Sequence, residues 1–241
     1  MRETAASNFP STSWSLVVAA AANPTTGSRA SLARICEVYW RPVYAFVRRS
    51  GYDRDQAQDL TQAFFTTMLE KNYLGNADRE RGRFRTFLLA SVKHFLANEW
   101  DKEHALKRGG GQLAVPIDPI EAEEMYAPEA IDERTPETVF ARRWALSLLA
   151  NVMAKLREEY TAMRRADYFD KLSPLLDGDP LARGYGELAS ELGASSAALR
   201  VAVHRMRRRY RELLRAELAE TVSAPEEIDE EIRFLLAAFR I

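Results

Sequence analysis

Two apolar helical stripes meet at Gly193, and that junction restricts the fold more than any other stretch. Over residues 185–192, Leu188 and Leu192 fall on one face, with Ala189 small enough to admit a second helix. Gly193 supplies the positive φ that ends a helix without Cβ strain. Ser195 or Ser196 can cap a helix over 196–218, whose Leu199, Ala202, Val203 and Met206 form the returning apolar face. A small residue, a glycine one turn on and a branched apolar residue beyond it have helix-turn-helix spacing. Arg200, His204, Arg205, Arg207, Arg208 and Arg209 face outward, with no acidic residue before Glu212. A solvated helix normally mixes its signs, so this run favours phosphate contact over a plain surface helix of a bundle.

The rest of the chain carries the same helical period. Residues 14–22 read as a short helix. Ser28 opens another, with Leu32, Ile35, Tyr39, Val43, Phe46 and Val47 in register and Pro42 placed to kink or divide it. Asp53 and Gln56 form a capping box for 53–71, which buries Leu60, Phe64, Met68 and Leu69 and exposes Asp55, Gln58, Asp59 and Gln62. A helix over 84–106 carries Phe84, Phe87, Leu88, Ser91, Val92, Phe95, Leu96 and Trp100, and Gly109, Gly110 and Gly111 end it. Residues 137–165 place Val139, Leu146, Leu149, Val152, Met153 and Leu156 on one stripe, and a short helix follows near 168–176. No strand period and no internal repeat appears, which predicts an all-α chain.

Pro116, Pro119, Pro128 and Pro136 interrupt an acidic stretch without apolar period, so 112–136 reads as a flexible linker between two helical domains. The predicted division is an extension (1–27), a first domain (28–111), the linker, a second domain (137–220) and an acidic tail (221–241). The net charge of −1 conceals segregation: 79–108 and 200–215 are basic, whereas 118–137 and 220–231 are acidic. The single cysteine, Cys36, excludes an internal disulfide and a cysteine-cluster metal site, and reads as a buried thiol. His94, His104 and His204 have no metal-ligand spacing, and no phosphate-binding glycine loop or nucleophile motif is present. No catalytic residue, metal or cofactor is therefore expected. No apolar run is long enough to span a bilayer and residues 1–13 lack a secretory pattern, so a cytoplasmic protein without membrane contact is expected.

Two blocks in fixed order resemble a bacterial RNA polymerase sigma factor, the extracytoplasmic-function type of the sigma-70 class. Tyr39-Trp40-Arg41-Pro42-Val43-Tyr44 with 55–70, above all Asp59-Leu60-Thr61-Gln62, is similar to the family's region 2. Phe84-Arg85-Thr86-Phe87-Leu88 is similar to its Phe-Arg-x-Trp/Phe-Leu, and 185–215 resembles region 4. The resemblance covers about 32–108 and 145–220. It departs from the family where His94 replaces a common Asn and where 172–184 replaces the usual Leu-Pro-x-x-x-Arg approach to region 4.

The resemblance implies a region 2 bundle, a region 4 helix-turn-helix and no chemistry of the chain's own. It implies core RNA polymerase as partner, through the β′ clamp helices and the β flap, with Asp55, Gln58, Asp59 and Gln62 on the docking face. It implies promoter DNA as the second partner and an anti-sigma factor as a further candidate. For the −10 element it assigns Arg79, Arg81, Arg83, Phe84, Arg85, Lys93, His94 and Lys102, with Phe84 either a base platform or core. For the −35 element it assigns Ser195, Ser196, Ala198, Arg200, His204, Arg205, Arg207 and Arg208. Arg200 is the base reader and Ser195 either a reader or only a cap. The tail, with Ile228, Ile232, Leu235, Leu236 and Phe239 on one face, either covers the arginine helix as an autoinhibitor or completes a core. A stand-alone helix-turn-helix regulator with an N-terminal dimerisation or sensing domain is the competing reading.

Overall fold

The computed structural model describes residues 26–70, 83–105, 135–176, 185–219, 221–222 and 224–239. Among these there are α-helices and 3-10 turns and no strand. The α-helices are α1 (Thr26–Arg49), α2 (Arg54–Glu70), α3 (Phe84–Ala105), α4 (Pro136–Ala162), α5 (Ala166–Leu172), α6 (Tyr185–Glu191), α7 (Ser196–Ala219) and α8 (Ile228–Ala237). The 3-10 turns Ser173–Leu175 and Pro225–Glu227 extend α5 and precede α8. The helix expected over 14–22, the linker residues 112–134 and the −10 candidates Arg79 and Arg81 lie outside the described residues.

Pro42 neither ends nor divides α1, which runs through it as one helix. Proline costs about 3 kcal/mol in a helix interior. The flanking Tyr39, Val43, Tyr44 and Val47 are all buried, and full burial of a large apolar side chain returns about 1.5–3 kcal/mol. The capping box is present: Gln56 N–H donates to Asp53 Oδ1 at 2.8 Å, and Asp53 N–H donates to Gln56 Oε1 at 3.1 Å.

The described chain forms two compact units. Residues up to Ser147 together with those from Leu218 onward make the first, and Leu148–Glu217 make the second. These limits differ from the expected linker and tail boundaries, because α4 and α7 each contribute to both units. In the first unit Phe84 meets Tyr39 edge-on at 5.3 Å, Phe64 meets Phe95 at 5.6 Å, and Trp40 stacks on Phe65 at 5.9 Å. Val139, Phe140, Trp144, Leu218, Leu235 and Ala238 are buried in the same unit. The second unit packs Leu156, Phe169, Leu172 and Leu175 with Leu188, Ala189, Leu199, Val203 and Met206.

Several burial expectations are corrected. Trp100 is 54% exposed at the end of α3, and Leu146 lies outside the α4 core that Phe140 and Trp144 occupy. In the tail, Leu236 on α8 and Phe239 just beyond it face outward, and Glu231 takes an inward position. Leu60 and Cys36 are half-buried rather than buried.

Candidate nucleic-acid interface

The α6–α7 hairpin is fixed by its turn. Gly193 adopts φ +60°, Ala194 N–H donates to Ala189 C=O at 2.9 Å, and Gly193 N–H donates to Ser190 C=O at 3.4 Å. This paired closure satisfies the last carbonyls of α6. Ser195 Oγ then accepts from Ala198 N–H at 3.1 Å, so Ser195, rather than Ser196, caps α7. Leu188 and Ala189 lock against Leu199, Val203 and Met206, and that packing sets which side chains face out.

Ala198, Arg200, His204, Arg205 and Arg208 are exposed on that outward face, with Ser195 at its start and Ser196 half-buried beside it. Arg200 lies 5.7 Å over the Tyr185 ring, a contact that steadies a long cation without covering its donors. Two residues of this face escaped the reading of the sequence. Ala197 is exposed, and Val201 is 50% exposed beside Arg200. The available signal was that Val201 falls off the Leu199–Val203–Met206 stripe.

The arginines of α7 are not equivalent. Arg207 is half-buried, and its Nη2 donates to Leu175 C=O at 2.6 Å. Arg209 is held by both oxygens of Glu159, at 2.6 and 2.9 Å, and by Glu212 at 3.0 Å. These bonds, Glu159 first, push its guanidinium further above its ordinary range. Arg208 is 72% exposed and only 3.5 Å from Glu212, a weak surface pair. Arg200, Arg205 and Arg208 remain exposed on this face, with the His204 ring beside them.

The −10 candidates are arranged differently. Phe84 is 1% exposed and packed against Tyr39, so it is core and cannot serve as a base platform in this fold. Each described cation of the set holds a carboxylate. Arg83 pairs with Glu230 at 2.7 Å and also with Glu231. Arg85 donates Nε and Nη2 to the two oxygens of Glu231 at 3.0 and 2.9 Å. Lys93 pairs with Glu137 at 2.7 Å and Lys102 with Glu99 at 2.6 Å. His94 is exposed between Lys93 and Phe95. The tail therefore meets the basic residues at the start of α3, and it also fills core positions through Leu235 and Ala238.

On α2, Asp55 and Asp59 are exposed and one turn apart, with Gln58 and Gln62 half-buried beside them. Thr61 is turned inward, its hydroxyl donating to Ala57 C=O at 2.6 Å. Asp55 in the first turn also favours the helix dipole, so part of this face has a local structural reason. Asp59 has no such reason.

Among the described residues no cluster of three or more His, Cys, Asp or Glu could hold a metal ion, and no helix is long and apolar enough to cross a membrane. Comparisons with protein-family models, curated proteins and solved structures give no match to this chain.

Proposed function

We propose that this chain is a dissociable promoter-recognition subunit of bacterial RNA polymerase, of the sigma-70 class. It binds core enzyme through the α2 face of Asp55, Gln58, Asp59 and Gln62. It places α7 in the major groove of the −35 element and helps open the −10 element with the basic start of α3. The chemistry of transcription belongs to the polymerase. One observation carries the reading: a glycine-closed, serine-capped hairpin presents Arg200, His204, Arg205 and Arg208 on a single exposed face. Such a face combines a fork for guanine O6 and N7 with flanking phosphate contacts. The resemblance of Asp59-Leu60-Thr61-Gln62, followed by Phe84-Arg85-Thr86-Phe87-Leu88, adds the polymerase to that DNA reading.

A stand-alone duplex-binding regulator is the second reading. It is favoured by the carboxylates already held by Arg83, Arg85, Lys93 and Lys102. Selection of promoter DNA from a random pool separates the two. A sigma subunit enriches two spaced elements only with core polymerase present. A regulator enriches one duplex site by itself, and that result would replace the proposal.

A further inference from the structure

Helix α8 brings carboxylates to the place where the proposed function requires phosphates. Asp229, Glu230 and Glu231 stand in its first turn, where the helix dipole favours negative charge. Glu231 is 1% exposed and is shared by Arg83 and Arg85, and Glu230, 58% exposed, takes a second bond from Arg83. The Arg85 guanidinium lies 3.5 Å over the Phe234 ring and 5.3 Å from the Trp144 ring. Two adjacent forks, backed by aromatic faces and satisfied by two successive anions, match the geometry that holds neighbouring phosphates of a nucleic-acid strand.

We infer that α8 is an internal strand mimic: Glu230 and Glu231 occupy a phosphate site formed by Arg83 and Arg85, and the chain keeps its own single-strand surface closed until α8 lifts. The inference rests on the −10 role proposed above and names how that site is regulated. A ten-residue helix is marginal in isolation, so α8 is held by docking rather than by its own hydrogen bonds. Among the described residues its anchors include Glu231 and Phe234, which meets the Arg85 guanidinium and the Trp144 ring. Leu235 and Ala238 are buried, while Leu236 and Phe239 face outward. Pro225 begins the turn that leads into it. A site available in only a fraction of molecules binds with its affinity reduced by that fraction.

The test uses the full chain and a fluorescent single-stranded oligonucleotide of about 12 nucleotides, read by anisotropy. Glu230→Gln and Glu231→Gln are compared with Glu226→Gln, which removes the same charge from the exposed turn before α8. The expected gain in affinity is about twofold to fivefold for E230Q, about tenfold for E231Q and none for E226Q. Arg83→Gln placed in the E231Q chain should remove the gain. Hydrogen exchange of 228–237 in the unaltered chain gives a reading that needs no substitution: bound oligonucleotide should speed exchange there.

Equal gains for E226Q and E230Q, or unchanged exchange in 228–237 with oligonucleotide bound, would overturn the latch while leaving the −10 assignment standing. A gain in E231Q that survives Arg83→Gln would remove Arg83 from the phosphate site and with it the latch. Absence of binding by every variant would overturn both the latch and the −10 assignment.

Discussion

The Glu231 carboxylate receives both donors of the Arg85 fork, at 2.9 and 3.0 Å, from a position 146 residues away in the chain. Glu231 is buried and Arg85 is 13% exposed. Truncating the arginine leaves the buried Glu231 carboxylate with Arg83 and strips the ring contact to Phe234. Breaking such a pair costs up to several kcal/mol, because the remaining charge stays desolvated with only part of its compensation. Arg85→Ala should therefore lose about 2–4 kcal/mol of stability in urea unfolding of the full chain. A loss under about 0.5 kcal/mol would show that the pair holds nothing together.

Gly193 has a backbone reason and no packing reason to be glycine. Its φ is +60°, and a Cβ built there would meet nothing within 4 Å. Gly193→Ala should cost about 1–2 kcal/mol through left-handed strain alone. Gly193→Asn should cost clearly less, since Asn tolerates that region. Thermal melts of the two variants check this, and equal losses would mean that contact rather than conformation decides.

Arg200 and Arg208 should separate in their effects on DNA. Arg200→Ala should relax discrimination at one −35 base pair by about 1–3 kcal/mol. Arg208→Ala should weaken binding evenly across sequences and reduce the salt slope by about 1. Binding of holoenzyme to a panel of single-base promoter variants at several salt concentrations gives both numbers. Uniform losses for the two variants would take α7 out of the groove.

Acid should reveal the Lys93–Glu137 pair. The Glu137 carboxyl is held below its ordinary value, first by the Lys93 hydrogen bond and then by a backbone hydrogen bond at the start of α4. A depressed folded-state value means that the unfolded chain takes up this proton first as pH falls. The contribution is complete above the ordinary value of 4.5 and disappears as pH drops through the folded one. With both partners nearly half exposed, it amounts to under about 1 kcal/mol. Urea unfolding of wild type and Glu137→Gln should differ at pH 6 and converge in acid. A constant difference would contradict the assignment.

What the sequence made legible is local. The apolar period located α1, α2, α3 and α7. Gly193 located the turn, and Asp53 with Gln56 located the start of α2, because caps and turns depend on neighbours within a few residues. Helix α4 was read less well. Its first part serves one unit and its last part the other, so no single stripe describes both, and Leu146 was placed inside where Trp144 belongs. Glu231 was read only as one charge of an acidic tail that covers the arginine helix or completes a core, since nothing near it in sequence announces Arg83 and Arg85. Arg207 looked like its neighbours, and only the fold brings Leu175 C=O to it.

The account depends most on association with core polymerase, and Asp59 is its sharpest probe. Asp59 is exposed, so reversing its charge leaves the core untouched. Purified chain and core polymerase are mixed and resolved by size exclusion. The wild-type chain should co-elute with the enzyme, whereas Asp59→Arg, folded by circular dichroism, should elute free. Failure of the wild-type chain to join the polymerase, or equal joining by both, would contradict the account.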